Sequence, residues 1–210
     1  MNLYDWRLGL YGLYQQGRHH GYAYVDYGWE NNHMQRSIRP LGINLDNTYS
    51  GHLLEAGGEY QYNWCTAQTK QEWRVSPYVN FKASYYDQGS SEETGSDIYG
   101  QAVDGFTNTY MAMGTGLEVQ RKWDKSKNIY LRLGYKHVFS GAAPALNFHY
   151  VSDRTSSYRN EDKQDKDFVT LGAGMNWQLG HKWSMYGVCQ LEQGAHDNDV
   201  RGSVTLKYHW

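Results

Sequence analysis

Hydrophobic and polar residues alternate along most of this chain with a period of two. The clearest case is residues 167–179, where Val169, Leu171, Ala173, Met175, Trp177 and Leu179 alternate with Thr170, Gly172, Gly174, Asn176 and Gln178. Successive strand residues point to opposite faces, so the pattern predicts a β-strand with one apolar and one polar side. The same reading predicts about nine strands, at residues 6–15, 21–31, 48–64, 72–87, 108–123, 128–139, 167–179, 182–192 and 204–210, most of them long enough to cross a bilayer at a tilt. The connections differ in kind. Those at 16–20, 64–71, 124–127 and 180–181 are short; those at 32–47, 88–107 and 140–166 are long and polar, and 193–199 is intermediate. Short turns at one end and long loops at the other predict an all-β fold, a transmembrane antiparallel up-and-down β-barrel.

The polar faces carry charges that hydrocarbon would reject. Glu55, Glu59, Arg74, Lys82, Glu118, Arg132, Lys136 and Lys207 are therefore expected to face a polar lumen and to pair across strands. Pro77 removes a ladder donor from the strand at 72–87 and predicts an edge or a bulge there. The tryptophans form a second pattern. Trp64, Trp73, Trp123, Trp177, Trp183 and Trp210 fall at strand ends beside the short turns, while Trp6 and Trp29 fall near the other rim. Indole rings settle at headgroup depth, where an apolar body and a polar N–H are both satisfied. The first six are expected to form a periplasmic aromatic girdle. In the last strand Val204, Leu206, Tyr208 and Trp210 alternate with Thr205, Lys207 and His209. A strand ending in an aromatic is expected to act as a C-terminal insertion signal for the barrel-insertion machinery.

Composition narrows the alternatives. Mean hydropathy is -0.81, yet 16% of residues are aromatic, with 20 Tyr and 8 Trp, more large rings than so polar a soluble chain ordinarily carries. No run approaches the ~18 apolar residues of a membrane helix. A net charge of -2 argues against a nucleic-acid surface, so no nucleic-acid partner is expected. Cys65 and Cys189 lie on elements far apart, and no disulfide is expected. The first residues lack the basic and apolar regions of a signal peptide. His19 and His20 sit in a predicted short turn without metal-ligand spacing. Gly172 and Gly174 lie mid-strand with no helix after them, which fits close packing better than phosphate binding. No metal or cofactor is expected. Around the long loop, His149, Asp153, Asp162, Asp165 and Asp167 could serve a barrel protease or lipase, but a charged solvated loop explains them equally. A passive pore or adhesin and a soluble β-rich binding module are the other readings.

Several pieces taken together resemble the β-barrel translocator domain of autotransporters (type V secretion). They are GLYGLY at 9–14, YGWENN at 27–32, WRVSPY at 73–78, NIYLRLGYKHVFSG at 128–141 and LKYHW at 206–210. The resemblance covers most of residues 1–210, which read as one barrel domain, and a proline at the position of Pro77 is usual in that family. It implies an outer-membrane anchor and secretion pore of a Gram-negative bacterium, without catalysis, whose partners are outer-membrane lipid and a passenger domain. Some members cleave a pore helix with acidic lumen residues, for which Glu55 and Glu59 would be the candidates; no autoproteolysis is inferred here. A barrel of this family has twelve strands after a pore helix, and GLYGLY resembles the fourth, so about nine of twelve strands are expected, the passenger, pore helix and three strands being absent. The expectation is an N-terminally truncated fragment.

Overall fold

The structure is a computed structural model describing residues 2–67, 72–124, 126–141, 145–161 and 164–208. Its elements are β1 (Asn2–Gln16), β2 (His19–Ile38), a 3₁₀ turn (Arg39–Leu41), β3 (Ile43–Tyr62), β4 (Cys65–Ala67), β5 (Glu72–Gln88), β6 (Ser91–Glu92), β7 (Gln101–Val103), β8 (Phe106–Asp124), β9 (Lys127–Ser140), β10 (Ala145–Tyr150), β11 (Asp153–Glu161), β12 (Asp167–Gln178), β13 (Trp183–Gln193) and β14 (Asn198–Tyr208). The main sheet runs β1-β2-β3-β5-β8-β9-β12-β13-β14, every neighbour antiparallel and consecutive along the main path, with β4 added beside β5. It curls into a half-barrel. Among the described residues, β1 and β14 each have a neighbour on one side only.

Local chemistry sets the joints. Gly17 opens the two-residue turn between Gln16 and His19 with φ 60°, a left-handed conformation that glycine adopts without strain. Because that turn needs only two residues, His19 and His20 are the first residues of β2 rather than turn residues, and His19 lies 2.6 Å from the Tyr60 hydroxyl. Pro77 marks a bulge. The β3–β5 register ends at Gln61 opposite Tyr78, and the β4–β5 register resumes one residue out of step at Cys65 opposite Val75. Val75 accepts from the Trp64 N–H at 2.9 Å, so the backbone of Pro77, two residues on, also faces the β3–β4 side. The missing donor thus points at the break. Buried beside it, the Ser76 hydroxyl donates to Asn63 Oδ1 at 2.8 Å.

The long polar connections are more ordered than their sequence predicts. Within 32–47, β2 and β3 stay paired out to Ile38 opposite Ile43, so the segment is a hairpin rather than a loop. Within 88–107 and 140–166, four strands form a second sheet in the order β11-β10-β7-β6. It is fastened to the long hairpin by a bridge between Asp46 and Thr94 and by Arg36, which grips Glu93 at 3.1 and 2.6 Å. β6 and β7 are too short to show any period, and the alternation of Leu146, Phe148 and Tyr150 in β10 spans only six residues. The last strand likewise begins at Asn198, not at 204, because residues 198–203 are mostly polar.

Burial is inverted relative to a water-soluble protein. On the convex face, Leu8, Leu10, Phe81, Met113, Leu117, Leu131, Leu133, Leu171, Val204 and Leu206 are all exposed. On the concave face, Glu59, Glu118 and Gln120 are 8%, 5% and 7% exposed. The charged side is the core.

Candidate functional site

The concave face encloses a space of about 820 Å³ to which strands from β2 to β14 contribute. Its centre is Arg132 on β9. The guanidinium donates to both carboxylate oxygens of Glu59 on β3, at 2.9 and 2.8 Å, and through Nε to Glu118 on β8 at 2.7 Å. Arg74 on β5 approaches Glu118 at 3.8 Å, and Gln61 donates to Glu59 at 2.8 Å. Both carboxylates are nearly inaccessible, so only paired charges and fork-like guanidinium geometry make their burial tolerable. Arg132 also lies over the rings of Tyr78 and Tyr130, at 4.9 and 5.7 Å.

A second pair joins Lys82 on β5 to Glu55 on β3 at 2.8 Å, where Glu55 also accepts from the Tyr24 hydroxyl at 2.8 Å. A third joins Lys136 on β9 to Glu192 on β13, with the ammonium 4.4 Å from the Phe168 ring. Of the eight charges singled out in the sequence, seven therefore meet on this face: Glu55, Glu59, Arg74, Lys82, Glu118, Arg132 and Lys136. Lys207 falls on the same parity of β14, opposite Ser184, and is exposed near the strand's end.

Sequence reasoning missed the tyrosines that complete the lining. Rings lie flat across glycines of neighbouring strands: a Cβ on Gly57 would stand 2.7 Å from the Tyr24 ring, and one on Gly116 2.7 Å from the Tyr78 hydroxyl. Gly174 is covered by Tyr130 in the same way, which is the close packing expected of the Gly172–Gly174 stretch. The signal was present, since Tyr78 and Tyr130 fall on the charged parity of their strands.

The tryptophans of the short-turn side are placed by register. Trp73, Trp123, Trp177 and Trp183 stand exposed on the convex face at the ends of β5, β8, β12 and β13, and Trp64 is exposed in the break between β3 and β4. Cations lie on these rims: Arg121 is 5.0 Å from Trp73 and 4.4 Å from Trp123, and Lys127 is 4.7 Å from Trp177. Val204, Leu206 and Tyr208 share the convex face of β14, where Tyr208 packs edge-on against Trp183 at 4.9 Å; Trp210 lies outside the described residues.

The acidic residues of the long loop do not converge. Asp153 accepts from the N–H and hydroxyl of Thr155 and from Ser156, which hold its carboxyl down at about 2. Asp165 accepts the backbone N–H groups of His196 and Asp197, at 2.5 and 2.9 Å, and the His196 ring lies 3.1 Å away; these contacts hold it at about 2 as well. Asp167 is held by Tyr135 and by His137 at 2.7 Å, and His149 is 3.9 Å from Asp104. Asp162 lies outside the described residues. Each carboxylate organises its own stretch of chain, and among the described residues no group of His, Cys, Asp and Glu could hold a metal. Cys189 is a free, exposed thiol on β13.

An apolar outside, an ionic inside and aromatic ends define an outer-membrane-type β-barrel protein. The family model "Autotransporter beta-domain" matches residues 1–188, and the chain belongs to that family of outer-membrane translocator barrels. Its fold is similar to the translocator domain of the autotransporter NalP from Neisseria meningitidis, at 13% identity and a TM-score of 0.71, covering 99% of this chain and 67% of that one. It is also similar to the transport unit of the autotransporter AIDA-I from Escherichia coli, at 17% identity and a TM-score of 0.67, covering 99% and 66%. The chain thus spans about two thirds of each. No individual curated protein sequence matches it significantly.

Proposed function

We propose that this chain is the anchor and pore portion of a secretion unit that carries a passenger domain across the outer membrane of a Gram-negative bacterium. The observation that carries the reading is the inverted polarity: leucines and tryptophans outside, Glu59, Glu118 and Arg132 inside. From Trp73 to Tyr85 the convex face of β5 runs about 40 Å along the strand at ~3.3 Å per residue, or about 30 Å across the membrane at a ~40° tilt. The polar concave face then lines a route for extended polypeptide, with Glu55, Glu59, Arg74, Lys82, Glu118, Arg132 and Lys136 as lumen charges. The short turns face the periplasm, with Trp64, Trp73, Trp123, Trp177, Trp183 and Trp210 as the girdle there, and the second sheet stands on the cell surface. Val204, Leu206, Tyr208 and Trp210 present the strand that the insertion machinery reads. In this reading the unit works without catalysis, supported by Asp153, Asp165 and Asp167 each being held in separate local contacts rather than gathered at one site.

In hydrocarbon each unpaired backbone group costs several kcal/mol, so the free sides of β1 and β14 are covered in the membrane. We infer that strands outside these residues complete the barrel, in keeping with the two-thirds coverage of the solved relatives. Membrane fractionation tests the reading: the protein is expected in the outer-membrane fraction and resistant to alkaline extraction, and recovery in the aqueous fraction would overturn it. A closed, heat-modifiable monomer formed by these residues alone would overturn the inference about completing strands.

A further inference from the structure

We propose that the strand completing the barrel beside β1 points a lysine or arginine into the lumen opposite Gly9, where it pairs with Asp26. The proposal rests on the inference above that further strands close the barrel, and it names the chemistry of the one that meets β1. Strand direction restricts what that strand belongs to. β1 runs from the long-loop end to the turn at Gly17, and β14 runs from the 194–197 loop to its end beside Trp183, so both free edges point the same way. A second copy in the same membrane orientation would meet either edge in parallel, whereas every pairing in the main sheet is antiparallel. Antiparallel closure takes a segment with an odd number of strands.

Asp26 on β2 lies opposite Gly9 of β1 on one side and opposite Glu55 of β3 on the other. Like charges directly across a ladder repel. Glu55 is answered by Lys82 at 2.8 Å and by the Tyr24 hydroxyl. Arg7, two residues along β1 from Gly9, is turned to Asp5 at 3.3 Å and Glu30 at 3.8 Å. Among the described residues no hydrogen bond or ion pair reaches the Asp26 carboxylate. It leans toward the free edge, its Oδ1 3.4 Å from the point where a Cβ on Gly9 would stand. With no side chain on Gly9, the way from the next strand to Asp26 is open. That strand lies about 4.8 Å beyond β1, within the length of a lysine or arginine side chain. Long side chains already reach over glycines on this face, Tyr24 over Gly57 and Tyr130 over Gly174. Arg132 likewise spans β8 and β5 to reach Glu59. A cation opposite Gly9 gives Asp26 its partner; a neutral residue leaves it facing Glu55, and an acid adds a third carboxylate.

Co-expression of the 210-residue chain with a designed three-strand segment tests this. The segment alternates apolar and polar residues, and its lumen position opposite Gly9 is set to Lys, Arg, Gln or Glu. Closure is read as the yield of a heat-modifiable complex containing both pieces. Lys and Arg should give about two- to fivefold more complex than Gln, the effect of one solvated ion pair, and Glu should give less than Gln. Asp26→Asn should abolish the preference, and Asp26→Lys should invert it toward Glu. Equal yields from the four segments, or a preference for Lys that survives Asp26→Asn, would overturn the pairing. A closed complex of two copies without the segment would overturn it as well. If no segment closes the barrel, the inference about completing strands falls, and the pairing with it.

Discussion

Arg132 is the residue on which the interior depends most. Replacing it with Gln leaves Glu59 buried without its cation and Glu118 with only Arg74 at 3.8 Å, and breaking a buried pair from one side is destabilising by about 3–5 kcal/mol. The midpoint of thermal unfolding followed by circular dichroism should fall markedly, with part of it restored when Glu59→Gln is added to Arg132→Gln. Arg132→Lys should restore little, because one ammonium cannot reach three carboxylate oxygens in the same fork. At the loop end, Asp165 makes a different prediction. Its carboxyl is held at about 2 by the N–H groups of His196 and Asp197, below the usual ~3.9. A depressed carboxylate stabilises above its unfolded pKa and loses that effect as pH falls through the folded one. The 194–197 turn should therefore resist proteolysis down to about pH 4 and open between there and pH 2; in Asp165→Ala it should be cleavable at neutral pH. At this scale the sequence was informative about which charges share a face, since parity alone picks out Glu55, Glu59, Arg74, Glu118 and Arg132. It could not show that Arg132 is the hub, because the pairing of Glu59 with Arg132 spans strands that are not adjacent.

At the scale of the elements, legibility followed solvent. Strands with lipid-type exposure on one side and ions on the other announce themselves by a period of two, and all nine expected strands have counterparts in the main sheet. Where strands are short or mix polar and apolar residues on one face the period is lost, and the paired 32–47 hairpin and the second sheet read as loops. Pro77 shows the reverse case, a single residue whose missing donor marked an edge or a bulge before any pairing was known. Because its backbone faces the break between β3 and β4, Pro77→Ala should change stability by less than about 1 kcal/mol. Val79→Pro, two residues along where β3 pairs normally with Tyr60, should cost about 3 kcal/mol or more and is measured by the same thermal shift. The second sheet hangs on Arg36 and Glu93, the latter 11% exposed. Arg36→Ala should leave the thermal midpoint of the main sheet unchanged yet expose 89–105 to protease, as mass spectrometry of the fragments would show.

For the whole molecule, the decisive property is which side of the sheet meets lipid, and neighbouring residues of one strand can decide it. Leu171 on β12 is exposed on the convex face; the Thr170 hydroxyl, one residue earlier, lies over Gly134 beside the Tyr78 hydroxyl, on the concave face. Both have ladder partners in β9 and β13, so the strand itself is common to the pair. An arginine at the bilayer midplane on the lipid face is unfavourable by about 2–4 kcal/mol, whereas the lumen side admits charge. Leu171→Arg should therefore abolish stable membrane insertion, and Thr170→Arg should insert and resist alkaline extraction. The two variants are compared by membrane fractionation and alkaline extraction of the same cells. A soluble sheet with a conventional interior would give the opposite order, since Leu171 would then be the solvent-facing site and Thr170 the one that a guanidinium disrupts. The inverted burial of Glu118 against Leu131 makes the first order the expected one.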